Sequence, residues 1–221
     1  MVDQQAKLSW TEDRVPVSEQ FDDPYFSLQN GLEETRHVFL AGNDLPTRFG
    51  PGFHIAELGF GTGLNMLTVW SEWERAGRTD PLRFTSFEAF PMAVADQARA
   101  LAVFPELAPW ATRFLDTWRG GSCDLGTLRL TVIEGDARRT LPGWDGVADA
   151  WFLDGFSPAK NPELWGQELL THVANHTAPG GTVATYTAAG FVRRGLQAAG
   201  FTVIRSPGYG RKRHMTKGLK A

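Results

Sequence analysis

The sequence predicts an α/β fold: a mostly parallel sheet with helices on both faces. Three observations carry that prediction. From residue 53 onward, short apolar strand-like runs alternate with helix-like segments. The first strand runs into a glycine-rich turn, ELGFGTGLN (57–65), and a helix follows directly. Acids stand at the ends of successive strands, at Glu57, Glu88, Asp136 and Asp154, and in a parallel sheet such ends share one edge.

Taken in order, residues 1–50 form an irregular N-terminal extension packed on a main domain, 51–221. Segments 8–10 and 15–17 are strand-like, and the loop after them is rich in Asp and aromatics. GLEETRHVFLAG (31–42) is a helix, with Leu32, Arg36, Phe39 and Leu40 at helical spacing and Gly42 as its stop. Strand–helix pairs follow at 53–58 and 64–76, 82–88 and 92–103, and 128–133 and 137–141. Two more lie at 150–154 and 162–177, and at 181–187 and 188–199. No element is assigned between 103 and 128. Strands 201–206 and 214–219 are joined only by PGYGRKR, which puts one antiparallel strand at the end of the sheet.

The 221 residues, 42% hydrophobic and 21% charged, suit one domain with a real core. No apolar run approaches the roughly 20 residues of a membrane span. The N-terminus, MVDQQAKLSW, lacks the apolar stretch of a signal peptide. The single cysteine, Cys123, excludes an internal disulfide and a multi-cysteine zinc site, and in its Gly-Gly-Ser loop it is assigned no catalytic role. A cytoplasmic protein with no metal and no membrane contact is expected. The net charge of -3 hides a split. Of 22 Lys and Arg, eight lie in 169–221, where there is no Asp or Glu; all 25 acids precede them. Unless the segments intermix in space, that points to a polyanionic partner.

Glycines 59, 61 and 63 let backbone approach a ligand closely, and the helix start offers free N–H groups. A dinucleotide site needs G-x-G-x-x-G. Here the third glycine comes one residue early and Leu64 takes its place. Glu57, just before the turn, suits a ligand with a positive end better than a pyrophosphate. S-adenosylmethionine has an ammonium, a sulfonium and no phosphate, so it is favoured over NAD, cradled by Glu57, Gly59, Gly61, Gly63 and Asn65. Glu88, ending the second strand, is placed for the ribose hydroxyls. Asp136 either accepts from the adenine amino group or caps the helix beginning at Ala137. Asp154 ends the fourth strand beside the transferring methyl. Its DGFSP sequence resembles the Asp-Pro-Pro-aromatic loops of methyltransferases that act on nitrogen.

GFGTGLN, DAWFLDGFSPAKNP, ATYTAAGFVRRGLQ and GRKRHM, with PVSEQFDDPYFS and NGLEETRHVFLAGN, together resemble a bacterial tRNA-modification family. It is the methyltransferase half of the enzyme that completes 5-methylaminomethyl-2-thiouridine at the tRNA wobble position (the MnmC/MnmD family). The resemblance covers roughly residues 8–219. It implies a class I S-adenosylmethionine-dependent methyltransferase fold, Rossmann-like, with a mostly parallel seven-stranded sheet and one antiparallel strand. It also implies methyl transfer to the primary amine of 5-aminomethyl(-2-thio)uridine in tRNA. Many family members continue into an FAD-dependent half that removes carboxymethyl from the same nitrogen. No second glycine-rich strand–helix unit is present here, so this chain is expected to be either a single-domain member or a part of a longer protein. As it stands it should methylate but not prepare its own amine, and a separate FAD-dependent enzyme is a candidate partner.

With Lys as a guide (pKa about 10.4), the neutral amine at pH 7 costs roughly 4–5 kcal/mol. Asp154 would orient the amine and take its proton in a partly desolvated pocket. Asp22, Asp23, Tyr25 and Phe26 form either a turn packing aromatics on the sheet or a lid over the site. Phe156 and Lys160, after Asp154, are candidate substrate contacts, Lys160 toward a tRNA phosphate or the cofactor-side carboxylates; otherwise it is solvated. Arg193, Arg194, Arg211, Lys212 and Arg213 are candidates for tRNA phosphates, although a helical arginine can simply cover apolar surface. Competing readings are a small-molecule or protein N-methyltransferase on the same fold, a non-catalytic tRNA- or nucleotide-binding module and, more distantly, an NAD-dependent oxidoreductase.

Overall fold

The structure, a computed structural model, describes residues 5–27 and 30–221; the first four residues of the N-terminal stretch and residues 28 and 29 lie outside the described residues. β1 (Leu8–Trp10), β2 (Pro16–Ser18) and β3 (Asp23–Pro24) form a small antiparallel sheet. α1 (Gly31–Thr35) is capped by Asn30, whose side chain accepts from the Glu33 N–H, and continues through a π-helical turn at Arg36–Leu40. Then come β4 (His54–Leu58), α2 (Leu64–Arg75), β5 (Leu82–Glu88), α3 (Val94–Leu101), α4 (Ala108–Thr117) and β6 (Ser122–Asp124). β7 (Leu128–Glu134), α5 (Ala137–Thr140), β8 (Ala148–Leu153) and α6 (Gln167–Asn175) follow. β9 (Thr177–Thr185), α7 (Gly190–Ala198), β10 (Phe201–Pro207) and β11 (His214–Lys220) complete the fold.

The main sheet has eight strands in the order β10-β11-β9-β8-β4-β5-β7-β6. β9, β8, β4, β5 and β7 run parallel, and β11 is antiparallel to both β9 and β10. Seven of these strands match the expected sheet with its one reversed strand. The eighth, β6, is a short antiparallel edge strand on β7 that the sequence reading lacked, as it lacked α4. The helix expected over 162–177 begins as a 3-10 turn at Pro162–Trp165, and α6 starts only after Gly166, which is extended at ψ 150.

Successive strand residues alternate between two cores, as the pleat requires. Ile55, Phe84 and Phe152 join Met66, Leu67, Trp70 and Phe114 beneath α2 and α4. Leu32, Val38 and Phe39 of the N-terminal region belong to that same core. Ala56, Phe87 and Trp151 join Leu170, Val173, Val192 and Leu196 beneath α6 and α7 on the opposite face. Because β4 pairs with β5 on one side and β8 on the other, the strand order reverses at β4. A crevice opens beyond the carboxyl ends there. Among the described residues no helix is long and apolar enough to cross a membrane, and no group of three or more His, Cys, Asp and Glu is placed to hold a metal ion.

Candidate active site

The crevice is a cavity of about 610 Å³, lined by the β4, β5 and β8 exits, residues 20, 21 and 23–27, α1 and the β10–β11 turn. Its floor depends on glycine. The Gly59 N–H donates to the Phe87 carbonyl (2.9 Å), and the Asp154 N–H donates to the Leu58 carbonyl (3.1 Å). The two strand exits therefore touch, and a Cβ on Gly59, where φ is +92°, would lie 2.5 Å from the Asp154 carbonyl oxygen. Gly61, at φ +51°, donates its N–H to Glu88 Oε2 (2.9 Å), while Phe90 N–H donates to Oε1 (2.8 Å). Glu88 thus holds the turn in shape. Gly63, at φ +82°, opens α2.

Beneath this turn sits a chain of carboxylates and one amide. Glu57 is buried (1% exposed) and accepts from Asn65 Nδ2 (2.9 Å) and Ser86 Oγ (2.7 Å). Asn65 Nδ2 also donates to Asp154 Oδ2 (2.6 Å), and Thr35 Oγ1 donates to Asn65 Oδ1 (2.8 Å). The two carboxylates fix which way the amide faces: both Asn65 N–H groups go to them, and the Thr35 hydroxyl, which can donate or accept, donates to the remaining oxygen. Asn65 is therefore an acid-orienting residue, and Glu57 lies a layer below the cavity wall. Burial pushes Glu57 well above the usual carboxylate range, against the pull of its two donors. Asp154 keeps a little surface, which lines the cavity. Burial pushes its pKa up to about 7; the Asn65 hydrogen bond and Lys212 oppose the rise and Glu34 adds to it. Glu88 is raised by burial, while several backbone N–H groups restrain it.

Asp136 lines the cavity and is also the N-cap of α5, accepting from the Arg138 N–H (2.9 Å). Its ion pair with Arg138 (2.5 Å) holds its carboxyl below the usual range. The cap expected of Asp136 is made, and the residue lines the cavity as well.

The aspartate-rich loop covers the cavity. Phe21 stacks on Phe156 (4.7 Å between centroids), and Tyr25 meets Phe156 edge-on (5.1 Å) and packs over Gly61. Asp23 Oδ2 accepts from the Ser157 N–H (2.9 Å), and Lys160 Nζ pairs with Asp22 Oδ2 (3.0 Å). Lys160, although exposed, therefore latches the loop onto the Asp154 segment, and its ion pairs are with Asp22 and Asp23. Phe26 also lines the cavity and packs edge-on against Phe104 (5.0 Å).

The basic candidates separate. Arg211 lines the cavity and Arg213 is exposed in the same turn. Lys212 pairs with Glu34 (2.8 Å) and lies 4.0 Å from the Tyr186 ring centre. Arg193 is partly buried and its Nε has no hydrogen-bond partner; Arg194 is exposed on α7, away from the cavity lining. Sequence reasoning missed Glu34, Thr35, Ser86 and Tyr186. Glu34, Thr35 and Tyr186 stand inside quoted motifs, but nothing in their spacing announces contacts made across the fold.

The donor set fits S-adenosylmethionine better than a phosphate-bearing cofactor. Carboxylates of Asp23, Glu34, Glu88, Asp136, Asp154 and Glu163 line the cavity. Of the three basic side chains there, Arg138 and Lys212 are already paired with Asp136 and Glu34. A pyrophosphate would meet net repulsion, while an ammonium and a sulfonium would not.

Comparison with known proteins agrees. The bifunctional tRNA 5-methylaminomethyl-2-thiouridine biosynthesis protein MnmC of Pseudomonas aeruginosa PAO1 is 49% identical over 97% of this chain. That of Ectopseudomonas mendocina is 50% identical over 96% of the chain. The chain spans only 35% and 34% of the length of these two relatives. The crystal structure of MNMC2 from Aquifex aeolicus matches with a TM-score of 0.76 at 26% identity, over 96% of this chain and 70% of that one. A family profile described as S-adenosyl-L-methionine-dependent methyltransferase matches residues 106–221, more than half of the chain. With the glycine turn, the strand-end acids and the reversed β11 in place, the chain belongs to the S-adenosyl-L-methionine-dependent methyltransferase family.

Proposed function

We propose that the chain methylates the primary amine of 5-aminomethyl(-2-thio)uridine at the tRNA wobble position. The observation that carries this is Asp154, fixed by Asn65 at the cavity floor where the strand order reverses, in a chain 49% identical to a relative named for the biosynthesis of 5-methylaminomethyl-2-thiouridine, the methylated product. S-adenosylmethionine, when bound, supplies an electrophilic methyl on a positively charged sulfur. Gly59 and Gly61 give it backbone access, Glu88 accepts from its ribose hydroxyls, and Asp136 lies toward its base.

Asn65 engages Asp154 Oδ2 and leaves Oδ1 to accept from the amine. The ionised Asp154 takes a proton from the incoming ammonium at Oδ1 and keeps the nitrogen lone pair aimed along the transfer axis. Phe21, Tyr25 and Phe156 exclude water. That desolvation brings the amine pKa down toward that of the acid. The amine itself comes from an FAD-dependent activity, and the cytoplasm, where tRNA is available, is the proposed location. The test is to incubate the protein with labelled S-adenosylmethionine and tRNA from cells lacking the final methylation, then analyse nucleosides by mass. Label in 5-methylaminomethyl-(2-thio)uridine is expected. Label elsewhere, or only in added small amines, would overturn the proposal.

A further inference from the structure

Lys212 stands in the β10–β11 turn, with solvent open to it. Its Nζ nevertheless reaches back to within 2.8 Å of Glu34 Oε1 and 4.0 Å of the Tyr186 ring centre. An aromatic face beside a carboxylate is an arrangement that selects cations. The surroundings are built rather than incidental. Tyr186 donates its hydroxyl to the Gly155 carbonyl (2.7 Å), which sets the ring against the residue after Asp154. Thr35, next to Glu34, is tied through Asn65 to Asp154 itself. The Glu34 side chain is only 13% exposed, so its charge is poorly screened. Glu34, Asp154, Tyr186 and Lys212 all line the same cavity.

We propose that the Tyr186 ring face, Glu34 and Asp154 form the subsite for the substrate's ammonium group, and that Lys212 is the resident cation which the substrate displaces. This rests on the reaction being methylation of an amine. Glu34 and Tyr186 receive the charged amine as it enters, and Asp154 faces it from the inner side. Neither Glu34 nor Tyr186 exchanges a proton; both act on binding. The subsite also explains why a primary amine is accepted in preference to a neutral group of the same size: without a cation the Glu34 carboxylate would be left partly buried and unpaired once Lys212 is pushed aside.

Two measurements test this on the full chain. The first is steady-state methylation of an anticodon stem-loop carrying 5-aminomethyl-2-thiouridine. Glu34→Gln and Tyr186→Leu are expected to raise KM about tenfold, with the loss carried in KM rather than kcat. Tyr186→Phe keeps the ring face and should stay within about threefold of wild type. Lys212→Met removes the competitor and should lower KM. A raised or unchanged KM in Lys212→Met, or an unchanged KM in Glu34→Gln, overturns the proposal. The second is calorimetric titration with 5-aminomethyluridine and with 5-methyluridine, which lacks the ammonium. Wild type should prefer the first about tenfold and Glu34→Gln should not. Equal affinities in wild type overturn the subsite whether or not turnover is seen, whereas preference without turnover keeps the subsite and removes the reaction.

Discussion

Asp154 is where sequence, burial and chemistry meet most closely. Asp154→Ala is expected to abolish methyl transfer while S-adenosylmethionine still binds by calorimetry, because the glycine turn and Glu88 remain; normal turnover would remove Asp154 from the mechanism. Its protonation gives a second test. In the folded protein without ligands the carboxyl holds its proton up to about pH 7, against 3.8 for the ordinary group. The folded state therefore binds more protons than the unfolded chain between about pH 4 and 7, and stability falls as pH rises through that window. At about 1.4 kcal/mol per unit, the loss has a ceiling of ~4 kcal/mol above pH 7. Asp154→Asn removes it, so its Tm should exceed that of wild type at pH 8 and by much less at pH 5; an equal gap at both values refutes the assignment. The acid was legible in the sequence because an apolar strand ends on it abruptly. The role of Asn65 in holding that acid was not: its place in the glycine motif suggested the cofactor, while its amide also reaches Asp154 across 89 residues of chain and ties it to Glu57.

The β4 exit and the glycine turn decide whether that acid is placed correctly. Gly59→Ala would put a methyl 2.5 Å from the Asp154 carbonyl at a backbone φ of +92°, so both sterics and conformation oppose it. A loss of roughly 2–4 kcal/mol is expected, with loss of activity, since the β4 and β8 exits must part. Gly77 also has positive φ (+74°), but nothing lies within 4 Å of its Cβ position. Gly77→Ala should therefore cost only about 1 kcal/mol and spare activity. Matched thermal melts separate the two, and equal losses would show that packing at the turn is irrelevant. Elements with strong periodicity and flanking glycines were readable from the sequence, and β4, α2, β5 and β8 lie close to their expected ends. α4 was missed in the segment left without an element, although Pro109 stands in its first turn, where a proline is permitted. β6 has only three residues, none fully buried, so it carries almost no apolar pattern.

Charge is the property that only the assembled molecule defines. The basic C-terminal segment partly intermixes with the acidic remainder: Lys212 pairs with Glu34, Lys217 approaches Asp44 (3.7 Å), and Lys220 donates to the carbonyls of Ala174 and Thr177. Arg194, Arg205, Arg211 and Arg213 are exposed and make no ion pair among the described residues. Sequence counting alone could not make this division, because pairing depends on which strands the fold brings together. Arg211 and Arg213 share the turn beside the cavity mouth, so under the proposed function they are the cations best placed for phosphates flanking the target uridine. Removing one cation that neutralises a phosphate should flatten the dependence of log KM on log salt by about 0.7–0.9. For Arg211→Gln with Arg213→Gln, the slope is expected to fall by about 1.4–1.8 with tRNA as substrate. Lys217→Gln, already engaged with Asp44, should leave it unchanged. Kinetics across a salt series decide the matter. An unaltered slope in the double variant would place the tRNA backbone on another face, and the free arginines would then be no more than a solvated turn.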